Sequence, residues 1–254
     1  GAAIERKTFG KKIVVFFYSM IKKRILFHAT SVEEQETIKI YFGDVRIVIQ
    51  ANFIMAEYSE KTNDYRKDFL FLGRINPIKN IHVLIESAFK SSTFMKSDAR
   101  IVIAGKAWLD YEIEYEKQIK DLISSLHMND KVIFVGHVEG VEKEKLINES
   151  YFLVLPSKSE NFGNVVLESL INSTPVIASK GTPWQVLDEH NAGYWIDSNV
   201  DSLASIIDRA LELSVSDYSV LSDNAIKLVK SVYDVNSVEN KWIEIYKNIS
   251  KLPA

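Results

Sequence analysis

From Asp68 onward the chain repeats one pattern, a short continuous apolar run followed by a longer amphipathic stretch. The apolar runs are residues 69–72, 100–104, 132–135, 151–155 and 175–178, with 194–196 as a sixth. None alternates polar with apolar, so each reads as a strand covered on both faces. The stretches between them, 81–91, 111–126, 141–149, 164–172 and 200–213, carry helical spacing. Gly73, Gly105, Gly136 and Gly193 punctuate near the strand ends. This βαβα repeat predicts an α/β fold, a doubly wound, Rossmann-like parallel sheet with helices on both faces. In such sheets ligands sit at the carboxyl ends of the strands, so the loops there are where chemistry is expected.

The two ends depart from the repeat. Residues 217–251 read as two helices, with Val238, Trp242, Ile245 and Tyr246 on or near one face of the second. The first 60 residues hold a basic apolar stretch at 11–24, a helix after Ser31, and one more strand at 46–49. Ser31 followed by Glu34 is a capping box. Residues 52–67 are polar and read as a linker. The expected division is 1–60, then a domain at 61–236, then a terminal helix at 237–254 that crosses back toward the first segment.

Composition narrows the function classes. A net charge of −3 gives no global field for nucleic acid. With no cysteine there is no disulfide scaffold, thiol nucleophile or cysteine zinc site. The early apolar run 13–20 is far shorter than the roughly 20 residues that span a bilayer. No cleavable signal is visible, and the expected location is cytoplasmic.

Four loops carry the chemistry. The first, Gly73-Arg74-Ile75-Asn76-Pro77-Ile78-Lys79-Asn80, follows a strand and enters a helix. Arg74 and Lys79 can converge on one anion there, with Asn80 as the helix cap. A diphosphate is the natural target, and two solvated basic residues are the alternative. The second is Ser159-Glu160-Asn161-Phe162-Gly163-Asn164-Val165-Val166-Leu167-Glu168. Gly163 permits close backbone approach, and the amides around Gly163–Val166 face any ligand. Glu160 and Glu168 flank them and suit hydroxyl-rich partners, since carboxylate oxygens accept from sugar O–H groups. Glu168 alone would read as a surface helix residue. The third, Phe134-Val135-Gly136-His137-Val138, offers backbone to a flat base edge, with His137 as a loop residue otherwise. The fourth, Lys180-Gly181-Thr182-Pro183-Trp184, lines the same crevice or is a simple turn with Trp184 as packing.

In this order and spacing the loops resemble family-4 retaining glycosyltransferases of the GT-B fold. The resemblance rests on Gly73-Arg74…Lys79-Asn80, on Phe134…Gly136…Val138, and on Glu160…Phe162-Gly163…Glu168, and covers residues 69–213. It implies a carboxy-terminal domain that binds a nucleotide-diphospho-sugar, a UDP- or GDP-sugar, as donor and uses no cofactor. Arg74 and Lys79 would hold the diphosphate and stabilise it as it leaves, with Gly73 turning their loop. Glu168 would take the ribose hydroxyls and Glu160 the donor sugar. The amides near Asn161, Phe162, Gly163, Asn164 and Val165 would cradle the pyrophosphate, and the Val138 backbone would meet the base. Glycosyl transfer develops positive charge on the sugar and negative charge on the departing diphosphate. Fixed cations at that leaving group lower the barrier. No Asp-x-Asp motif is present, so a metal-independent site is expected.

The family also has an amino-terminal acceptor-binding domain, which needs about 100 residues or more. Fewer precede Asp68. Residues 27–34 resemble the end of that domain, so the expectation is a donor-binding half with a remnant of its partner, inactive alone. The acceptor would be a glycan or lipid-linked molecule of lipopolysaccharide or capsule synthesis. Residues 1–24 carry seven Lys/Arg against one acidic residue. They read as a surface helix of the absent domain or as a contact with the inner face of an anionic membrane. An intact small protein, a sugar-nucleotide epimerase or phosphorylase, and a non-catalytic nucleotide-sugar sensor are the competing readings.

Overall fold

A computed structural model describes residues 9–55, 58–62 and 65–248. The chain opens with helix α1 (Phe9–Ile21), strand β1 (Phe27–Ala29), helix α2 (Val32–Phe42) and strand β2 (Ile47–Ile49). β1 and β2 pair in parallel as a small sheet of their own. Ser31 caps α2, its hydroxyl accepting the Glu34 amide at 3.2 Å. Only half of the expected capping box forms. The Glu34 carboxylate reaches one residue further back and accepts the amide and hydroxyl of Thr30.

Residues 52–67 are not a free linker. Ile54 bridges Asp234, Ser59 donates its amide to Ile171 at 3.0 Å, and Arg66 donates to Glu149 at 2.9 Å. Backbone donors that would otherwise be spent on water fasten this segment to the larger sheet.

That sheet holds β3 (Asp68–Leu72), β4 (Arg100–Ala104), β5 (Val132–Gly136), β6 (Phe152–Leu155), β7 (Val176–Ser179) and β8 (Gly193–Ile196). All neighbours are parallel, in the order β5-β4-β3-β6-β7-β8. The connections are α3 (Ile81–Lys90), α4 (Ser92–Lys96), α5 (Asp110–Ser125), α6 (Gly140–Glu149), α7 (Asn164–Ile171), α8 (Val186–Glu189) and α9 (Val200–Leu211). Each predicted strand and long helix is present to within a residue or two; the short α4 and α8 had no periodicity to show them.

Alternation along the strands explains the two layers. Phe69 and Phe71 point into one core with Leu84, Ile119 and Ile207. Leu70 and Leu72 point into the other with Ile147, Val166, Leu170 and Leu187. Burying a side chain of this size stabilises by about 1.5–3 kcal/mol. Continuous apolar strands are therefore the economical solution when helices cover both faces. After the sheet come α10 (Val215–Leu228), a π-helical turn at Val229–Tyr233 and α11 (Val235–Asn248). Val238 of α11 is buried, and Trp242 meets His28 of β1 edge-on at 5.0 Å.

Candidate functional site

The strand order has one switch point. From β3 the chain builds outward through β4 and β5, and from β6 it builds the other way through β7 and β8. β3 and β6 lie side by side, with Phe69 opposite Phe152. In a sheet of this kind, ligands sit at the carboxyl ends of the strands beside such a switch point. The loops that follow these two strands are the first and second loops singled out from the sequence. They touch directly: the Lys158 amide donates to the Ile78 carbonyl at 2.8 Å.

Beside this point the strand ends form a staircase of glycines. Gly73 donates to Ala104 at 2.9 Å and Gly105 donates to Gly136 at 2.7 Å. A Cβ on Gly105 would stand 1.8 Å from the Gly73 carbonyl oxygen, so only glycine fits. A cavity of about 320 Å³ lies on this staircase. It is lined by Gly73, Arg74, Val138, Val165 and Glu168, five of the residues assigned from the sequence to the donor site. Trp108, His137 and Lys143 also line it.

The charged groups are paired with protein. Arg74 Nε lies 3.2 Å from Oε1 of Glu112, a carboxylate with no exposed side-chain surface. Glu168 meets Lys143 at 3.1 Å. Lys79 Nζ lies 2.5 Å from Glu160 Oε1, which also accepts the Ser157 hydroxyl at 2.7 Å. Lys79 and Glu160 do not line the cavity that holds Arg74 and Glu168; their pair links the first loop to the second. The two cations therefore share a loop without sharing a partner.

The second loop is held from behind and from the side. Gly163 has a φ of 84° and opens α7 with no side-chain cap. The Val166 amide donates to the Gly163 carbonyl at 2.9 Å, and no side chain caps the amides of Asn164 and Val165 before it. Phe162 is buried against Trp184 at 4.9 Å, and the Trp184 indole donates to the Phe162 carbonyl. Phe162 thus anchors the second loop through its buried ring and its carbonyl. Trp184 is packing, and the Gly181 carbonyl accepts the Glu160 amide at 3.0 Å, so the fourth loop supports the second. From the side, Asn161 donates to Glu34 at 2.7 Å and its carbonyl accepts the Thr30 hydroxyl at 3.1 Å. Asn164 accepts from Asn52 at 2.8 Å.

One expectation needs correction. Asn80 stands at the N-cap of α3, but its side chain makes no capping bond. It sits in the left-handed region at φ 59°, and its side chain donates to Ser198. The capping side chain in this loop is Asn76, which accepts the Ile78 amide at 3.0 Å. His137 lies at the cavity but is paired with Glu139 at 2.5 Å and edge-on to Trp108. Sequence reasoning missed Glu112, Lys143 and Trp108. Their helices and strands were visible, but which helical residue turns inward at a loop depends on tertiary placement.

The family description "Glycosyl transferases group 1" fits residues 56–228, more than half of the chain. The chain belongs to the glycosyl transferases group 1 family. It is 32% identical over 187 residues to an uncharacterised glycosyltransferase of Methanocaldococcus jannaschii, covering 72% of this chain and 45% of that protein. An O-antigen chain mannosyltransferase of Salmonella typhimurium is 30% identical over 146 residues, 58% of this chain and 36% of that one. Among solved structures, Anabaena HepE in complex with UDP and glucose superposes with a TM-score of 0.78 at 20% identity, over 95% of this chain and 68% of that chain. That likeness speaks to the fold. The chain spans less than half the length of these curated relatives. Among the described residues no helix is long and apolar enough to cross a membrane, and no cluster of three or more His, Asp or Glu could hold a metal ion.

Proposed function

We propose that this chain carries the donor site of a retaining hexosyltransferase and binds a nucleotide-diphospho-sugar without a metal. The observation that carries this reading is the cavity at the strand ends, which Arg74 of the first loop and Glu168 of α7 both line, with Lys79 and Glu160 joining the first loop to the second through their ion pair. Arg74 and Lys79 bind and neutralise the departing diphosphate. The amides at the start of α7 share that charge. Glu168 accepts from the ribose, Glu160 from the donor sugar, and the Val138 backbone meets the base. Glu160 is assigned no covalent role.

A uridine nucleotide is favoured, because the HepE structure was solved with UDP and glucose. Polysaccharide assembly as the setting draws on the O-antigen enzyme among the relatives. This chain spans less than half the length of its curated relatives, so transfer by it alone is expected to be slow or absent. The exposed Phe16, Phe17 and Met20, followed by Lys22, Lys23 and Arg24, fit a peripheral contact with anionic lipid. Failure to sediment with anionic vesicles at low salt would remove that part.

The test of the donor site is calorimetry with UDP, GDP, ADP and their sugar conjugates, with and without magnesium. One nucleotide should bind without metal, and Arg74→Ala and Glu168→Ala should each weaken it. A folded protein that binds none of them would overturn the reading. Rapid transfer by this chain alone, at rates typical of a two-domain enzyme, would overturn the expected inactivity.

A further inference from the structure

Glu112 lies in the first turn of α5 and has no exposed side-chain surface. Its two oxygens do different things. Oε2 accepts the amides of Trp108 and Leu109 at 3.0 and 3.3 Å, which is ordinary work at a helix start. Oε1 is turned across to the loop that follows β3. There it takes Asn76 Nδ2 at 2.6 Å and lies 3.2 Å from Arg74 Nε, with the Tyr111 hydroxyl at 3.1 Å. Burial pushes the Glu112 carboxyl upward, but the bonds from Asn76, the Trp108 and Leu109 amides and Tyr111 outweigh it. The net shift is below the usual carboxylate range. The group is therefore an ion at neutral pH, and a buried ion needs partners.

Capping a helix needs one oxygen. The second oxygen holds a cation of another loop, and that cation lines the nucleotide-sized cavity. A guanidinium presents five donors in a rigid fork. With Nε beside Glu112, neither Nη nitrogen has a protein partner among the described residues. Asn76, on the same oxygen, also caps the turn Pro77–Lys79 that carries the second cation.

Resting on the donor-site reading, we infer that Glu112 is a positioning residue for diphosphate binding. It fixes Arg74 through Nε so that the remaining fork of the guanidinium is presented to the diphosphate. Arg74 is about half exposed, and an exposed arginine without such a hold would lose rotamer freedom on each binding event. The same carboxylate, through the Trp108 amide, ties the rim of the cavity to its charged wall.

A double-mutant cycle on the full chain tests this, with Glu112→Gln, Arg74→Ala and both together, titrated with UDP and GDP. Uridine and guanosine are followed in parallel by ligand-observed NMR. Glu112→Gln should weaken the diphosphate that wild type binds by about tenfold, the scale of one charge-assisted contact. It should change the matching nucleoside by less than about twofold, and most of its effect should vanish on the Arg74→Ala background. An equal loss for nucleoside and nucleotide, or a full additive loss without Arg74, would overturn the inference and leave Glu112 as a helix cap only. Thermal melts accompany each protein. If Glu112→Gln lacks a cooperative melt, Glu112→Asp, which keeps the charge but shortens its reach, carries the same cycle with the same expected signs. A folded wild type that binds neither diphosphate would instead bring down the donor-site reading itself.

Discussion

Lys79 and Glu160 neutralise each other between the first and second loops at 2.5 Å, although the donor-site reading assigns them to different parts of one ligand. Each side chain is largely shielded from water, so the pair is more than a surface contact. A diphosphate arriving at Lys79 must compete with the carboxylate already there. Glu160→Gln should therefore leave UDP binding intact or tighten it by about threefold, a change under 1 kcal/mol. The same variant should lose the extra affinity that wild type shows for the sugar conjugate over UDP. Lys79→Ala should weaken both ligands. Calorimetry on the three proteins decides; a drop in UDP affinity with Glu160→Gln would mean that Glu160 holds the loop rather than the sugar.

The contact between the small amino-terminal sheet and the second loop makes a separate prediction. Glu34 accepts from Thr30 and from Asn161, and Thr30 donates to the Asn161 carbonyl. Glu34→Ala removes three of these four bonds at once. Amide hydrogen exchange over residues 158–163 should then speed up, while the strands β3 and β6 stay protected to the same degree. Unchanged exchange in the loop would show that Phe162 and Trp184 fix it unaided.

The sheet was legible because its strands are apolar on both faces, a pattern with few other outcomes. In the candidate site, Arg74, Glu160 and Gly163 could be singled out because they stand in loops that leave strands whose positions the repeat had already set, whereas Glu168, inside α7, was assigned its role only through the family resemblance. Glu112 was not singled out, because a glutamate in the first turn of a helix ordinarily caps that helix. Nothing local says that its second oxygen crosses to another loop. Asn80 misled for the opposite reason. An asparagine before an apolar run reads as a cap, whereas here its tolerance of the left-handed region is what the chain uses. Residues 52–67 read as a linker because their side chains are polar, while their anchoring is through backbone bonds that composition does not encode.

Gly163 combines two constraints that a substitution would expose. Its φ of 84° is costly for any residue with a Cβ, and that Cβ would stand 3.0 Å from Leu155 Cδ2. Gly163→Ala should lower stability by about 1–3 kcal/mol. It should also weaken nucleotide binding, because the amides at the start of α7 move with it. Thermal melts and calorimetry on the same sample separate the two effects. A stable variant with wild-type affinity would remove these amides from the proposed site.

Lys61 gives a pH dependence with a definite sign. Its ammonium donates to the Ser150 carbonyl and to the Thr174 hydroxyl at 2.8 Å, and burial lowers its pKa from 10.5 to about 7. Between these two values the unfolded chain holds the proton and the folded chain does not. Stability therefore rises with pH across that window. Below it both states are protonated and the full penalty of the buried charge is present. Above it both are neutral. Tyr65 and Tyr151, packed nearby, are both pushed up by burial. Lys61→Met keeps the stem and removes the titration, so the difference between wild type and variant isolates this one group. Wild type should gain on Lys61→Met by several degrees of Tm from pH 7 to pH 9.5, since about 1 kcal/mol moves Tm by about 2–4 °C in a domain of this size. A difference that stays flat over that range would mean that Lys61 keeps an ordinary pKa, and that water reaches its ammonium.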